Sequence, residues 1–302
     1  MHMKKTGYRL SDQKEKTPFG AHIFMIVFGL LCLIPFMTIV SASFSNEIAL
    51  AKEGFGIFPR QFDLSSYEYL FKKPKIILDA YWVTILITFA GTVIGLMSMA
   101  MAAYALARSR YKFKSFFTWF IYFPTLFSGG LTASYIITTK YLHLTDSLWA
   151  LILPGTINVF HIFMLRTFFK QLPPALFEAA TMDGASEYTM FFKIALPLSK
   201  PSLATVGFLT ALTKWNEWYN SMLYIRSTNK VTLQHMLQRM MDSITVIMDA
   251  LAISPVLLDP AEIPGENLRM AMLVVAIGPM MLIFPFFQKY FTRGMTVGSV
   301  KG

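Results

Sequence analysis

The chain has little charge. Charged residues make up 15% of its 302 positions, against 55% hydrophobic. A soluble domain of this size carries about 25% charge. The deficit comes from long apolar blocks, which excludes an ordinary soluble globule and marks an integral membrane protein. Cysteine is nearly absent. The single Cys32 excludes an internal disulfide, and its place in an apolar run gives it the role of a small core residue. The five histidines, His2, His22, His143, His161 and His235, are scattered and share no metal-ligand spacing. No Gly-x-x-x-x-Gly-Lys-Ser/Thr, Gly-x-Ser-x-Gly or His-Glu-x-x-His occurs. These absences leave no catalytic residue to name, no metal site and no cofactor on this chain, and they argue against an intramembrane enzyme.

What is present is apolar length. A helix crosses a bilayer core with about 20 mostly apolar residues. Six runs of that kind lie at 22–43, 81–106, 115–138, 147–169, 202–225 and 269–291. The reading is an all-α, polytopic membrane protein with six transmembrane helices. Residues 1–21 form a cytoplasmic tail and 22–302 the transmembrane domain, with a long polar loop at 170–201. The first run has no small-residue cleavage site at its end, so it reads as an anchor and not a signal peptide.

Bases outnumber acids by 27 to 17, a formal net charge of +10. Nucleic acid is one possible reason for such an excess. The bases sit beside the apolar runs, however, which fits orientation by the positive-inside bias. Lys4, Lys5, Arg9, Lys14 and Lys16 precede the first run. Arg108, Arg110, Lys112 and Lys114 follow the second with no acid among them. Arg166, Lys170, Lys193 and Lys200 mark the 170–201 loop, and Lys289, Arg293 and Lys301 the end. With six spans all four segments share one side. In the loops 44–80, 139–146 and 226–268 acids match or outnumber bases. Both termini and the 170–201 loop are therefore expected in the cytoplasm.

That loop has helix punctuation. Pro173 and Pro174 suit a helix start, where the missing N–H costs nothing. Ala175 to Ala180 are good or acceptable helix formers. Gly184 can supply a left-handed C-terminal cap, and Ser186 can cap a second helix running to about Ala195. Pro197 and Pro201 close the segment. A short helix with small alanines suits docking into a groove on another protein. A loop helix packing on its own bundle is the other reading of the same residues.

The loop reads Glu178-Ala179-Ala180-Thr181-Met182-Asp183-Gly184-Ala185-Ser186 and ends Ala195-Leu196-Pro197. This resembles the cytoplasmic signature loop, Glu-Ala-Ala…Gly…Leu-Pro, of the permease subunits of bacterial ABC importers. Further stretches are similar to the carbohydrate-uptake branch, and to the smaller permease of the maltose importer in particular. They are Ser66-Tyr67-Glu68-Tyr69 with Leu70, Trp215-Asn216-Glu217-Trp218, Thr232-Leu233-Gln234, and the tail from Pro285 to Gly294 ending Gly298-Ser299-Val300-Lys301-Gly302. The Gln288-Lys289-Tyr290-Phe291 stretch and Leu233-Gln234 resemble the complex-oligosaccharide subgroup. The resemblance covers most of the chain from about residue 55. It implies an ATPase-docking set of Glu178, Ala179, Ala180, Asp183, Gly184, Leu196 and Pro197. It also implies a heterodimer with a second permease, two ATPase subunits that bind ATP and magnesium, and an external solute-binding protein. Import of oligosaccharide across the bacterial cytoplasmic membrane would follow by alternating access.

Three other features carry two readings each. Gly91 and Gly95, with Ser98 and Ala102, allow close helix approach, either inside the bundle or at a moving contact with the partner permease. Lys214 and Glu217 stand three apart in the fifth run, beside Trp215, Asn216, Trp218, Tyr219 and Asn220. Charges at membrane depth face protein or water. The cluster either lines the substrate path, where aromatic faces and amides suit sugars, or holds the bundle together. Leu233, Met236, Leu237, Met240, Met241, Ile244 and Met248 recur at helical spacing and form an apolar stripe. It either lies on the bundle or docks the binding protein. Trp82, Trp119, Trp149 and Tyr141 read as interfacial anchors. A channel or ion-driven transporter, or a purely structural membrane scaffold, would need no docking loop.

Overall fold

The computed structural model describes residues 19–72, 74–108, 111–253 and 265–299. The side chains of 247–253 and 289–299 are outside that description, as are the five N-terminal bases, Arg110, residues 254–264 and Val300, Lys301 and Gly302. Among the described residues there is no β-strand, only one isolated bridge between Ser45 and Phe62.

Helix α1 is Phe19–Ser43, followed by short α2 (Glu47–Glu53) and α3 (Ser65–Phe71). Helix α4 (Pro74–Ala107) is the second expected run. Then come α5 (Lys114–Tyr122), α6 (Gly130–Ile136), α7 (Trp149–Ile152) and α8 (Val159–Gln171). The polar loop holds α9 (Pro174–Met182), α10 (Glu187–Met190) and α11 (Leu196–Leu198). Helices α12 (Lys200–Trp215), α13 (Tyr219–Tyr224), α14 (Leu233–Ile253) and α15 (Glu266–Ser299) complete the chain.

Three helices are long and apolar enough to cross a membrane: α1, α4 and the Glu266–Gln288 part of α15. Two bent pairs bring the number to five if each counts as one span. The other three expected runs are interrupted. Residues 115–138 break after α5, where Pro124 enters a tight 3-10 turn, and the two halves meet at 114°. Residues 147–169 break at Pro154-Gly155, where Gly155 has φ 66°. Asn158 restarts the chain by accepting from the N–H groups of Phe160 and His161. At 13 residues α8 is about 20 Å long, short of a bilayer core. Residues 202–225 break after Trp215, and α12 also meets the preceding α10–α11 segment at 84° between Pro197 and Pro201. Proline and glycine inside apolar runs are tolerated at membrane depth when neighbours satisfy the freed backbone groups.

Helix α4 is the axis of the bundle, packing along α12 and α8, while α15 lies against α1 and α12. One core cluster lies near the start of α4 and joins Ile77, Val83 and Ile87 to Leu151, Trp215 and Met272. A second, near its end, joins Met99, Ala103 and Tyr104 to Leu165, Phe177 and Phe191. Cys32, expected in the core, is exposed, because among the described residues nothing covers that face of α1. The stripe on α14 faces inward: Leu233, Met236, Leu237 and Ile244 are buried in the first cluster, and Met240 and Met241 pack against it. Met248 has no described side chain.

Candidate functional site: the polar loop and the break in α12

Helix α9 starts at Pro174, with Pro173 in extended geometry before it. It ends in a paired-turn cap. The N–H of Gly184 donates to Thr181 at 3.1 Å and that of Ala185 to Ala180 at 2.9 Å. Gly184 has φ 75°, a conformation that strains any residue with a Cβ. Ser186 then caps α10 by accepting from the Thr189 N–H at 3.2 Å. A wider π-type turn over Phe191–Ala195 continues α10, so the second expected helix is short and irregular.

Phe177 is the one buried residue of α9. Glu178, Ala179, Asp183, Gly184 and Pro197 are exposed; Ala180 and Leu196 are half-buried against the second cluster. Met182 is 88% exposed and Tyr188 76%. The loop therefore holds its form by caps and one anchor, and turns a mixed acidic and apolar face outward.

The cluster around Asn216 divides in two. Lys214 and Trp215, expected on the path, are buried. The Lys214 ammonium has three hydrogens and gives them to the carbonyls of Leu151, Ile152 and Pro154, at 2.9, 2.9 and 2.8 Å. The break at Pro154 and Gly155 leaves the Leu151 and Pro154 carbonyls to Lys214, while Ile152 also accepts from the Thr156 hydroxyl. Lys214 is thus a cap for α7, and it makes no ion pair with Glu217. Its stem passes over Gly91, where an added Cβ would meet it at 3.2 Å. At Gly95 an added Cβ would stand 2.6 Å from the Thr156 carbonyl oxygen, closer than atoms can sit. The two glycines therefore serve internal packing. Trp215 Nε1 donates to the Ala276 carbonyl at 3.1 Å and ties α12 to α15.

Asn216, Trp218 and Tyr219 are exposed, and Glu217 and Asn220 are half-buried. Glu217 caps α13, accepting from the Asn220 N–H and Nδ2, each at 2.9 Å. Asn216 Nδ2 donates to Leu212 at 2.9 Å and its Oδ1 accepts from Gln234 at 3.4 Å. Trp218 and Tyr219 meet edge to face.

Two polar latches on the opposite end of the bundle were not foreseen. Asp146 accepts from the N–H groups of Arg226 and Ser227, the Ser227 hydroxyl and Lys230. The Ser227 hydroxyl first, and its N–H second, hold the Asp146 carboxyl well below the usual carboxylate range. His235 is buried, with Ser221 on Nδ1 at 2.9 Å and Arg239 donating to Nε2 at 2.9 Å. Burial first, and Arg239 second, push its pKa down to about 4. Beside it a cleft of about 620 Å³ runs between α3, the start of α4 and α14. No group of three or more metal-ligating side chains exists among the described residues.

A bundle of broken and unbroken apolar helices, with a short helix exposed at one end, is the form of an integral membrane protein. The chain belongs to the permease subunits of ABC importers of sugars and oligosaccharides. It is 39% identical to protein LplC of Bacillus subtilis over 91% of this chain and 91% of that one. It is 34% identical to the polygalacturonan/rhamnogalacturonan transport system permease protein YtcP of the same organism, over 92% and 96%. Among solved structures it is similar to a chain of a bacterial ABC transporter involved in the import of the acidic polysaccharide alginate. The TM-score there is 0.76 at 28% identity, covering 90% of this chain and 95% of that chain. No family model matches the chain. Membership makes this a transport subunit and not an enzyme. Nucleotide belongs to partner ATPases, and the family works with a partner permease and a substrate-binding protein.

Proposed function

We propose that this chain is one of two different permeases in a heterodimer of the bacterial cytoplasmic membrane, with six crossings and both termini in the cytoplasm. Helix α9 is its coupling helix and seats in a groove of an ATPase. Glu178, Ala179, Ala180, Asp183 and Gly184 form the docking face, with Leu196 and Pro197 setting the turn into α12. The exposed helix between basic segments, started by Pro173-Pro174 and closed at Gly184, is the observation that carries this reading. Asn216, Trp218 and Tyr219 border the substrate path, with Glu217 and Asn220 behind them and Lys214 and Trp215 supporting from within. The substrate class is an oligosaccharide bearing carboxylates. Support comes from the similarity to a polygalacturonan/rhamnogalacturonan permease and to an alginate importer.

The test is reconstitution of the permease pair, ATPases and binding protein in liposomes. ATP-dependent uptake of oligosaccharides from a polygalacturonan digest is expected, with neutral arabinan fragments taken up at least tenfold more slowly. Uptake without ATPase subunits would make the chain a channel or ion-driven carrier.

A further inference from the structure

Both parts of the polar loop are fastened to α4 at one point. Arg108 and Tyr104 stand one helical turn apart at the end of α4, with the Arg108 N–H bonded to the Tyr104 carbonyl at 3.1 Å. The carboxylate of Glu187, from α10, spans them. Its Oε2 accepts from the Tyr104 hydroxyl at 2.8 Å and its Oε1 from the Arg108 guanidinium at 3.2 Å. The same guanidinium lies 4.6 Å from the centre of the Phe177 ring, within cation–π range. Phe177 is the sole buried anchor of α9. Arg108 therefore touches α9 and α10 at once, from α4.

The neighbourhood is not packed solid. A cleft of about 440 Å³ opens beside the node, between Met101 and Ala105 of α4 and Tyr188 beyond it. The apolar packing of Tyr104 on Phe177 and Phe191 holds the loop against α4, and the node adds a polar tie that fixes α9 and α10 to the same point of it. Helix α4 also runs the length of the bundle against α12 and α8. A push received by α9 can pass along the chain through α10 and α11 to α12, and through the node to α4.

We propose that Arg108 and Glu187 are positioning residues that make α9, α10 and α4 move as one body, so that ATPase closure is passed to the helices lining the path. This rests on the reading of α9 as the docking helix.

The experiment uses the complete importer with Cys32→Ser and spin labels on Ala175→Cys in α9 and Val93→Cys in α4. Distances are measured nucleotide-free and after trapping with ATP and vanadate. The otherwise native chain is expected to give one narrow distance in both states. Arg108→Ala is expected to broaden it on trapping and to cut the ATP hydrolysis rate about tenfold, with the ATPase still co-purifying. Arg108→Glu with Glu187→Arg, each defective alone, should together restore hydrolysis to within about threefold. An unchanged narrow distance in Arg108→Ala overturns the proposal. So does loss of the ATPase from that complex unrelieved by the charge swap, which makes Arg108 a fold-holding residue. The docking reading is tested separately, by cross-linking Ala179→Cys to the ATPase in the otherwise native complex. Absence of that cross-link sinks docking and clamp together, whereas its presence with an indifferent Arg108→Ala sinks the clamp alone.

Discussion

At the scale of single residues, the informative groups are polar ones at membrane depth. A buried ammonium is tolerated where each hydrogen finds an acceptor, and Lys214 finds three. Removing it leaves the Leu151 and Pro154 carbonyls without partners, Ile152 keeping the Thr156 hydroxyl, at about 1–3 kcal/mol for each buried group left open. Lys214→Met is thus expected to lower the thermal unfolding midpoint of the purified complex by several degrees. Lys214→Arg should not restore it, because Gly91 already touches the lysine stem. An unshifted midpoint for Lys214→Met would remove the cap argument. Asn216 differs, being exposed, with its amide bonded to its own helix at Leu212 and only at 3.4 Å to Gln234. Asn216→Ala should slow uptake by a factor of about three to ten while the complex assembles in normal yield. Unchanged uptake kinetics would make Asn216 a packing residue; failed assembly would make its role structural.

At the scale of elements, caps and latches set which parts move. The α9 cap demands a left-handed residue at 184. Gly184→Leu strains it by about 1–2 kcal/mol, enough to unwind the last turn of an isolated nine-residue helix. ATP hydrolysis by the reconstituted complex should fall about tenfold, and full activity would refute the docking assignment. On the far side, His235 joins α14 to α13 in neutral form. Its folded pKa of about 4 lies below the ordinary 6.5, so the unfolded chain takes up the proton first. That contribution is complete above pH 6.5 and is lost as pH falls toward 4, at most about 3 kcal/mol. Thermal unfolding of the complex should weaken across that window, and less so in His235→Gln. An equal slope in both proteins would show that other groups carry the acid sensitivity.

At the scale of the whole molecule, the broken helices matter more than the long ones. The unbroken α1, α4 and α15 supply length, while the interruptions near Pro154 and Asn216 place polar groups such as Thr156, Lys214 and Ser221 inside the bundle. Membrane bundles gain little from hydrophobic association between helices, so small-residue contacts such as Gly95 on Thr156 carry the packing. Much of α1 and α5 remains uncovered apolar surface, suited to lipid or a second permease. Orientation is open to direct test. Cysteines placed near residues 60 and 230 should react with an impermeant thiol reagent added outside whole cells, and cysteines near 112 and 190 should not. External labelling near 190 would overturn the orientation and, with it, ATPase docking.

The sequence alone determined the class of protein. Long apolar runs with few charges admit only a helical membrane bundle, and Pro173-Pro174, Gly184 and Ser186 marked the ends of the loop helices because caps are local chemistry. The runs at 22–43, 81–106 and 269–291 were legible for the same reason, being uniform along their length. Periodicity also found the α14 stripe, though not which way it faced. What the sequence left undecided depends on contacts between distant segments. Composition cannot tell a continuous span from a broken one when freed carbonyls can be satisfied by a residue some 60 positions away, as Lys214 does for Leu151. The same holds for Gly91 and Gly95, whose partner proved to be this chain, and for Arg108 and Glu187, which are 79 residues apart in sequence. Only packing brings such groups within hydrogen-bond distance, and in a low-dielectric interior those few polar contacts decide where the helices bend and what they carry with them.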